Sequence, residues 1–336
     1  MIPLDLALVA AGVPPQAVDG TAQQVAGWAR WLSSRHRVAV LPVGRDGAMP
    51  GAPAAGEPLD LVIGFHSARG GLAAVELQQE RGVPAVVWVR SAEEYRVGAP
   101  ATAEVGIPVW AAARAVLLQS EGQRAGLLTT LARLAPRLAP DLAGRLHVVP
   151  TGVELPPSPP APGDGVLAIG RLVPQKGMDV LIEAVAGTGR TLTIAGDGPQ
   201  RGPLERLAAR RGIHCRFEGH VGRERLAALL ARAGCVALAS RDGEGLPNAL
   251  LEAMAWGRPV VGSRVAGIAD LVRDGVEGLL VPPGDPQALR AALTRVASDP
   301  ALAARLGAAG RASAGGYTWE RVGARLENVL ERYARR

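Results

Sequence analysis

The sequence predicts an α/β protein made of two Rossmann-like domains, each built on a parallel sheet. Three observations predict it. Short apolar runs alternate with amphipathic stretches, the pattern of successive βαβ units. A proline-rich stretch breaks the alternation near the middle, and beyond it the alternation starts again. At 336 residues the chain is long for one core and comfortable for two.

In the first half, strands are expected at 4–11, 37–43, 59–65, 84–89, 115–120 and 146–150, where β-branched and aliphatic residues cluster. Helical periodicity runs through 21–34, 68–80 and 121–134. The stretch from Gly44 to Gly56, rich in Gly and Pro, reads as an irregular loop. Residues 154–165, ELPPSPPAPGDG, hold five prolines from Pro156 to Pro162 and can form neither helix nor central strand. They read as a stiff connector between domains at 1–153 and 166–316. The second half gives strands at 166–170, 191–196, 213–219, 235–240, 259–263 and 278–283. Its helices are expected over 176–187, 203–211, 222–233, 246–256, 267–273, 286–297, 300–312 and 317–335. Two such sheets facing each other across a cleft would present a ligand to the carboxyl ends of their strands.

Hydrophobic residues make up 48% and charged residues 20%, a folded composition. Aromatics are 3% and no basic run forms a stripe, which argues against nucleic acid as a partner. The net charge of +6 is spread out; it is compatible with a solvated Arg-rich surface or with phosphates or an anionic membrane. Cys215 and Cys235 lack metal-site spacing and lie in apolar runs, as buried core residues do. The N-terminus has no cationic leader and Asp5 interrupts its apolar run, so a first strand is expected there rather than a signal peptide. No apolar run is long enough to span a membrane. The setting expected is cytoplasmic.

Of 37 basic residues only Lys176 is lysine. A lone lysine among arginines suggests a place for a compact point charge. It lies in GRLVPQKG, 170–177, where a strand should end at Gly170 and a helix begin at Gly177. Arg171, Lys176 and the positive helix end would suit an anion; an ordinary β–α turn with solvent-facing charges is the other reading. A second segment runs from Glu244 to Glu252, EGLPNALLE. A helix starting near Pro247 would put Glu244 in the loop before it and Glu252 about one and a half turns in. Carboxylates so placed can accept hydrogen bonds from vicinal hydroxyls, with the helix end between them receiving a phosphate. With 18 Glu in the chain, spacing alone is weak evidence; loop, proline and helix together carry it. The glycines of AGDGPQRG, 195–202, loosely imitate a dinucleotide fingerprint, but the third comes one residue late. They read as a tight turn that lets backbone approach a neighbour.

In order and spacing, these segments resemble the retaining glycosyltransferases of family 4, with the GT-B fold. The second half carries the resemblance through GRLVPQKG, the GDGP turn, EGLPNALLEAMAWGRPVVGS and DGVEGLLVPPGD. The first half matches more loosely, through VDGTAQQVAGWARWL, DLVIGFHSARGG, GVPAVVWV, LLQSEGQR and VVPTGVE. The resemblance implies a nucleotide-sugar donor, with Arg171 and Lys176 on its diphosphate and Glu252 on its ribose. It implies Glu244 on the donor sugar and backbone of Leu246, Pro247 and Asn248 beside it. Gly170 would end the donor-side strand, His220 and Val221 would flank the base, and Gly20 would approach the diphosphate from the first domain. It also implies that 317–336 packs back on the first domain. After the fourth strand the family often carries a His; here Arg90 and Ser91 stand there. Arg90 either meets an anionic acceptor or leaving phosphate, or pairs structurally with Glu93 or Glu94. His66, after the third strand, is the other acceptor-side candidate.

A departing diphosphate builds negative charge that must be met by preorganised positive groups. The sequence has no Asp-x-Asp to hold a metal for this, so transfer without metal or other cofactor is expected, with Arg171, Lys176 and the helix end in its place. The acceptor, whether sugar, lipid-linked or a small molecule, is not readable, and a lipid-linked one would imply peripheral contact at the inner face of a membrane. A sugar-nucleotide epimerase on the same fold and a binding protein without transferase activity are the competing readings.

Overall fold

The computed structural model describes residues 3–11, 13, 20–44, 48–51, 57–91, 94 and 100–335. The apolar runs form parallel strands because each is followed by a helix that covers its sheet. The chain folds as two units, residues 1–152 with 319–336, and residues 153–318.

The first unit holds β1 (Asp5–Ala10), α1 (Gly20–Ser33), β2 (Arg37–Pro42), β3 (Leu61–Phe65), α2 (Leu72–Arg81), β4 (Ala85–Trp88), α3 (Pro100–Ala112), β5 (Ala115–Leu118), α4 (Glu121–Leu134), α5 (Ala139–Ala143) and β6 (Leu146–Val148). Its sheet is wholly parallel, in the order β2-β1-β3-β4-β5-β6. The strand order reverses between β1 and β3, and the carboxyl ends there form the crevice where such sheets take ligands. One face packs Val62, Val87, Leu118, Leu127 and Trp110 into a core. The other stacks Phe65 on Trp88 and sets Trp28 against Trp88, with ring centroids 5.3 and 5.0 Å apart.

The final helix, α13 (Trp319–Tyr333), belongs to this unit. Its Trp319 meets Trp28 edge-on at 5.1 Å. Gly27 and Gly152 make the slot, since a Cβ at either would stand within 2.5 Å of the Trp319 ring. Buried Glu327 accepts from His36 at 3.1 Å. This is the helix expected over 317–335.

The second unit holds β7 (Val166–Ile169), α6 (Met178–Val185), β8 (Leu192–Ala195), α7 (Arg201–Arg210), β9 (Cys215–Gly219), α8 (Arg223–Arg232), β10 (Cys235–Leu238), α9 (Asn248–Ala255), β11 (Val260–Ser263), α10 (Ile268–Leu271), β12 (Gly278–Val281), α11 (Pro286–Ser298) and α12 (Pro300–Ala314). The sheet is parallel in the order β12-β11-β10-β7-β8-β9, so its reversal lies between β7 and β10. Both faces are buried, which explains why its strands read as continuous apolar runs. The proline-rich 154–162 is held on this unit: Arg311 donates to the Pro156 carbonyl at 2.5 Å and fully buried Arg258 donates to that of Pro160. Among the described residues no helix is long and apolar enough to cross a membrane.

Candidate functional site

In the second unit, the loops after β7 and β10 flank the strand-order reversal, and they carry the residues expected to meet the donor. The loop after β7 runs from Gly170 through a 3-10 turn, Pro174–Lys176, to Gly177. Gly177 has φ +60, and a Cβ there would stand 2.0 Å from the Ala239 carbonyl oxygen, so the loop lies against the end of β10 only because this residue is glycine. From that strand end Arg241 reaches back. Its backbone N–H donates to Gln175, and its guanidinium donates to the Pro174 carbonyl at 2.9 Å and to Asp179 at 2.6 and 2.8 Å. On the loop's other side lies the GDGP turn. Leu172 donates to the Asp197 carbonyl at 2.9 Å, and a Cβ at Gly198 would stand 2.6 Å from the Leu172 oxygen. The turn that imitates a dinucleotide fingerprint is therefore a wall for the GRLVPQKG loop.

These supports fix Lys176. Its Nζ donates to both carboxylate oxygens of Glu244, at 2.7 and 2.8 Å, and both side chains are mostly buried. Buried Ser240 donates to the same carboxylate. The Lys176 stem passes beside Gly170 at ordinary contact distance. Arg171 is exposed, with no ion pair among the described residues.

The helix end after Lys176, expected to face an anion, meets a carboxylate of the chain itself. Asp179, in the first turn of α6, turns its carboxylate onto the backbone N–H groups of Asp179 and Val180 and pairs with Arg241. Burial raises its carboxyl pKa, and these partners outweigh burial and hold it below the usual range. The amino end of α9 is different. Pro247 precedes it, no acid stands in its first turn and no side chain caps it. Leu246 and Pro247 are buried, and Asn248 Oδ1 is buried with no hydrogen-bond partner. One turn on, the Glu252 carboxyl is pushed up to about 7 by burial, with Arg223 of α8 opposing that rise. No hydrogen bond or ion pair meets this carboxyl among the described residues. His220 and Val221 follow β9 at the sheet edge, His220 exposed and Val221 packed on the core, immediately before the α8 start that carries Arg223.

In the first unit, Gly20 is the first residue of α1 rather than part of the loop before it; 14–19 lie outside the described residues. His66, Arg90 and Ser91 are brought together by Glu94, which sequence reasoning considered only as a partner of the Arg90 side chain. The Glu94 carboxylate accepts from His66 Nδ1 at 2.9 Å, Ser67 N–H at 2.7 Å, Ser67 Oγ at 2.6 Å, Arg90 N–H at 2.6 Å and Ser91 N–H at 3.0 Å. Burial raises this carboxyl and the hydrogen bonds outweigh it, leaving its pKa at about 2. Arg90 thus meets Glu94 through its backbone. Its buried guanidinium lies over the Trp88 ring and donates to Thr151 at 3.3 Å, with Nη1 unpartnered and burial lowering its pKa to about 9. Glu93 lies outside the described residues. Among the described residues no group of three or more His, Cys, Asp or Glu could hold a metal ion.

Residues 163–299 match the family model of the glycosyl transferases group 1. Among curated relatives, the chain is 35% identical over 229 residues to a GDP-mannose-dependent α-(1-6)-phosphatidylinositol monomannoside mannosyltransferase of Mycolicibacterium smegmatis, covering 60% of this chain and 59% of that one. It is 36% identical over 186 residues to a D-inositol 3-phosphate glycosyltransferase of Streptomyces griseus, covering 50% and 39%. The matches to these two span less than two thirds of either relative's own length. Two solved structures share the fold over 98% of both chains. They are the Anabaena protein Alr3699/HepE in complex with UDP and glucose (TM-score 0.79, 19% identity) and the sucrose-phosphate synthase of Thermosynechococcus elongatus (TM-score 0.80, 21% identity). The chain therefore has the GT-B class of fold, two Rossmann-like domains with parallel sheets.

Proposed function

We propose, from the premise that residues 163–299 form a glycosyl transferases group 1 domain, that this chain moves a sugar from a nucleoside diphosphate to an acceptor hydroxyl. The transfer proceeds with retention of configuration and without a metal. One observation carries the reading: at the strand-order reversal of the second unit, Lys176 is held beside Glu244 at 2.7 Å, next to the uncapped amino end of α9. Reversals of this kind are where open parallel sheets take nucleotides.

The residues divide the work by charge. When the bond from the anomeric carbon to the phosphate oxygen breaks, its electrons stay on the diphosphate. Lys176 and Arg171 supply positive charge there, and the N–H groups at the start of α9 add theirs. Glu244 keeps its Ser240 hydrogen bond when Lys176 turns to phosphate, and it accepts from hydroxyls of the sugar. Leu246 and Pro247 shape the wall beside the sugar. Asn248 Oδ1, unpartnered in the protein alone, accepts from a donor hydroxyl. Glu252 takes the ribose hydroxyls, with His220 and Val221 beside the base. The acceptor is a sugar, a lipid-linked group or a small molecule. The two curated relatives are named for inositol-bearing acceptors, one lipid-linked, which makes these the first to try. We place the reaction in the cytoplasm, at the inner face of the membrane where the acceptor is lipid-linked.

The test begins with UDP-glucose and GDP-mannose as stabilising ligands in thermal unfolding, since a ligand of the native state raises Tm. The better donor is then mixed with myo-inositol and D-inositol 3-phosphate, and the product linkage is read by NMR. An α-linked product from the α-linked donor, undiminished by EDTA, is the expected result. Inversion or loss of activity in EDTA contradicts the finer reading, and epimerised donor without acceptor contradicts transfer itself.

Glu252 makes a second measurable claim. Hydroxyl donors favour its ionised form, so nucleotide affinity should rise with pH across the region near 7 where this carboxyl titrates. A UDP titration by calorimetry from pH 6 to 8 should show that rise in the native protein and a flatter response in Glu252→Gln, because phosphate ionisation remains in both. Equal responses would remove Glu252 from the nucleotide site.

A further inference from the structure

Three independent features meet at His66. It lies at the carboxyl end of β3, one of the two strands flanking the reversal in the first unit's sheet. Its φ is +64, the only positive value of any non-glycine residue among those described. It opens a single π-helical turn, His66–Gly71, that is pressed onto the strands: a Cβ at Gly70 would stand 2.4 Å from the carbonyl oxygens of Phe65 and Val9. Left-handed side chains and π turns both concentrate at functional sites, where surrounding structure enforces them.

The enforcement here is visible. Glu94 has five hydrogen bonds, and four of them come from Ser67 and from the backbone of Arg90 and Ser91. Trp110 Nε1 in turn donates to Ser67 Oγ at 2.8 Å. The fifth holds the imidazole: with Nδ1 2.9 Å from the carboxylate, a neutral ring keeps its proton on that nitrogen and offers Nε2 as the acceptor. The His66 side chain is 34% exposed, whereas Glu94 and Arg90 are buried. A carboxylate that sets the tautomer of a half-exposed imidazole is the arrangement used to meet a hydroxyl.

We propose that His66 is the residue that receives the acceptor hydroxyl on the first unit, accepting its hydrogen bond at Nε2, and that Glu94 is the positioning residue behind it. The inference rests on the transferase reading above, and it assigns to that reaction a group from β3 and a buried carboxylate from the β4 side.

The test uses the full chain with UDP-glucose or GDP-mannose, whichever stabilises it, and with water, myo-inositol and D-inositol 3-phosphate as acceptors. His66→Asn preserves the fold, because asparagine tolerates the left-handed backbone and its amide can donate to Glu94. Its turnover should fall by about 10²-fold or more, with nucleotide stabilisation unchanged. In His66→Ala, added imidazole should restore part of the rate, while leaving the native protein unaffected. Glu94→Gln should lower turnover less than His66→Asn and raise the acceptor KM. Native-like turnover in His66→Asn, or a loss of nucleotide stabilisation in step with the loss of rate, would overturn the inference alone. A native protein that binds nucleotide yet transfers to none of these acceptors would overturn the transferase reading, and this inference with it.

Discussion

Replacing Lys176 by alanine is expected to lower turnover by about 10²–10³-fold while changing nucleotide affinity far less. The reason is where its charge is held. The GRLVPQKG loop is fixed by Arg241 on one side and the GDGP turn on the other, so once Lys176 has turned from Glu244 to the bound diphosphate its Nζ is already in place when negative charge develops there. A fixed charge acts most strongly where that charge grows, in the transition state. The fold should tolerate the change, since Glu244 is partly solvated and keeps Ser240. Lys176→Arg should recover little, because a planar, delocalised fork does not replace a compact point charge. Steady-state kinetics decide the matter: a raised KM with native kcat in Lys176→Ala would make the lysine a binding group only.

The second large effect concerns stability. Glu94→Ala should cost about 3–5 kcal/mol, a large part of what holds a domain together, because it leaves buried donors of Ser67, Arg90 and Ser91 unmatched. Acid should remove the same stabilisation. The Glu94 carboxyl titrates at about 2 in the fold against 4.5 for an ordinary glutamate carboxyl. A depressed pKa gives stability that is present above the unfolded value and is lost as pH falls through the folded one. About 3 kcal/mol should therefore disappear between pH 4.5 and about 2. Urea unfolding between pH 7 and 3 should show the native protein losing more stability than Glu94→Gln over the acid range. Parallel pH curves would mean that the carboxylate is not the clamp described.

Much of this architecture is written locally. Runs such as VLAIG and CVALAS are buried on both faces, and their β-branched, aliphatic character alone marks them as strands of a covered parallel sheet. GRLVPQKG and EGLPNALLE announce their loops because Gly177 and Pro247 each have a local backbone reason to stand where a helix begins. What stayed hidden depends on distance along the chain or on mixed local signals. Helix α3 was missed because it is almost uniformly apolar and carries Pro108 inside, so neither periodicity nor breaker rules point to a helix. The role of Asp179 at α6 depends on Arg241, 62 residues away, so the sequence does not show that this helix end already meets a carboxylate of the chain itself. Glu94 is one of 18 glutamates, and only folding shows that β3 and β4 turn their carboxyl ends toward it. Strand order was equally silent: one sheet reverses between β1 and β3 and the other between β7 and β10.

The central claim is that a nucleoside diphosphate sits at the β7–β10 reversal, against Lys176 and the amino end of α9. Backbone hydrogen exchange of the full chain, with and without saturating UDP or GDP, tests it most directly. Slowed exchange across 244–252 and in the loop 170–177 is the predicted result. Nucleotide binding that leaves those segments unchanged and slows exchange elsewhere would contradict the account.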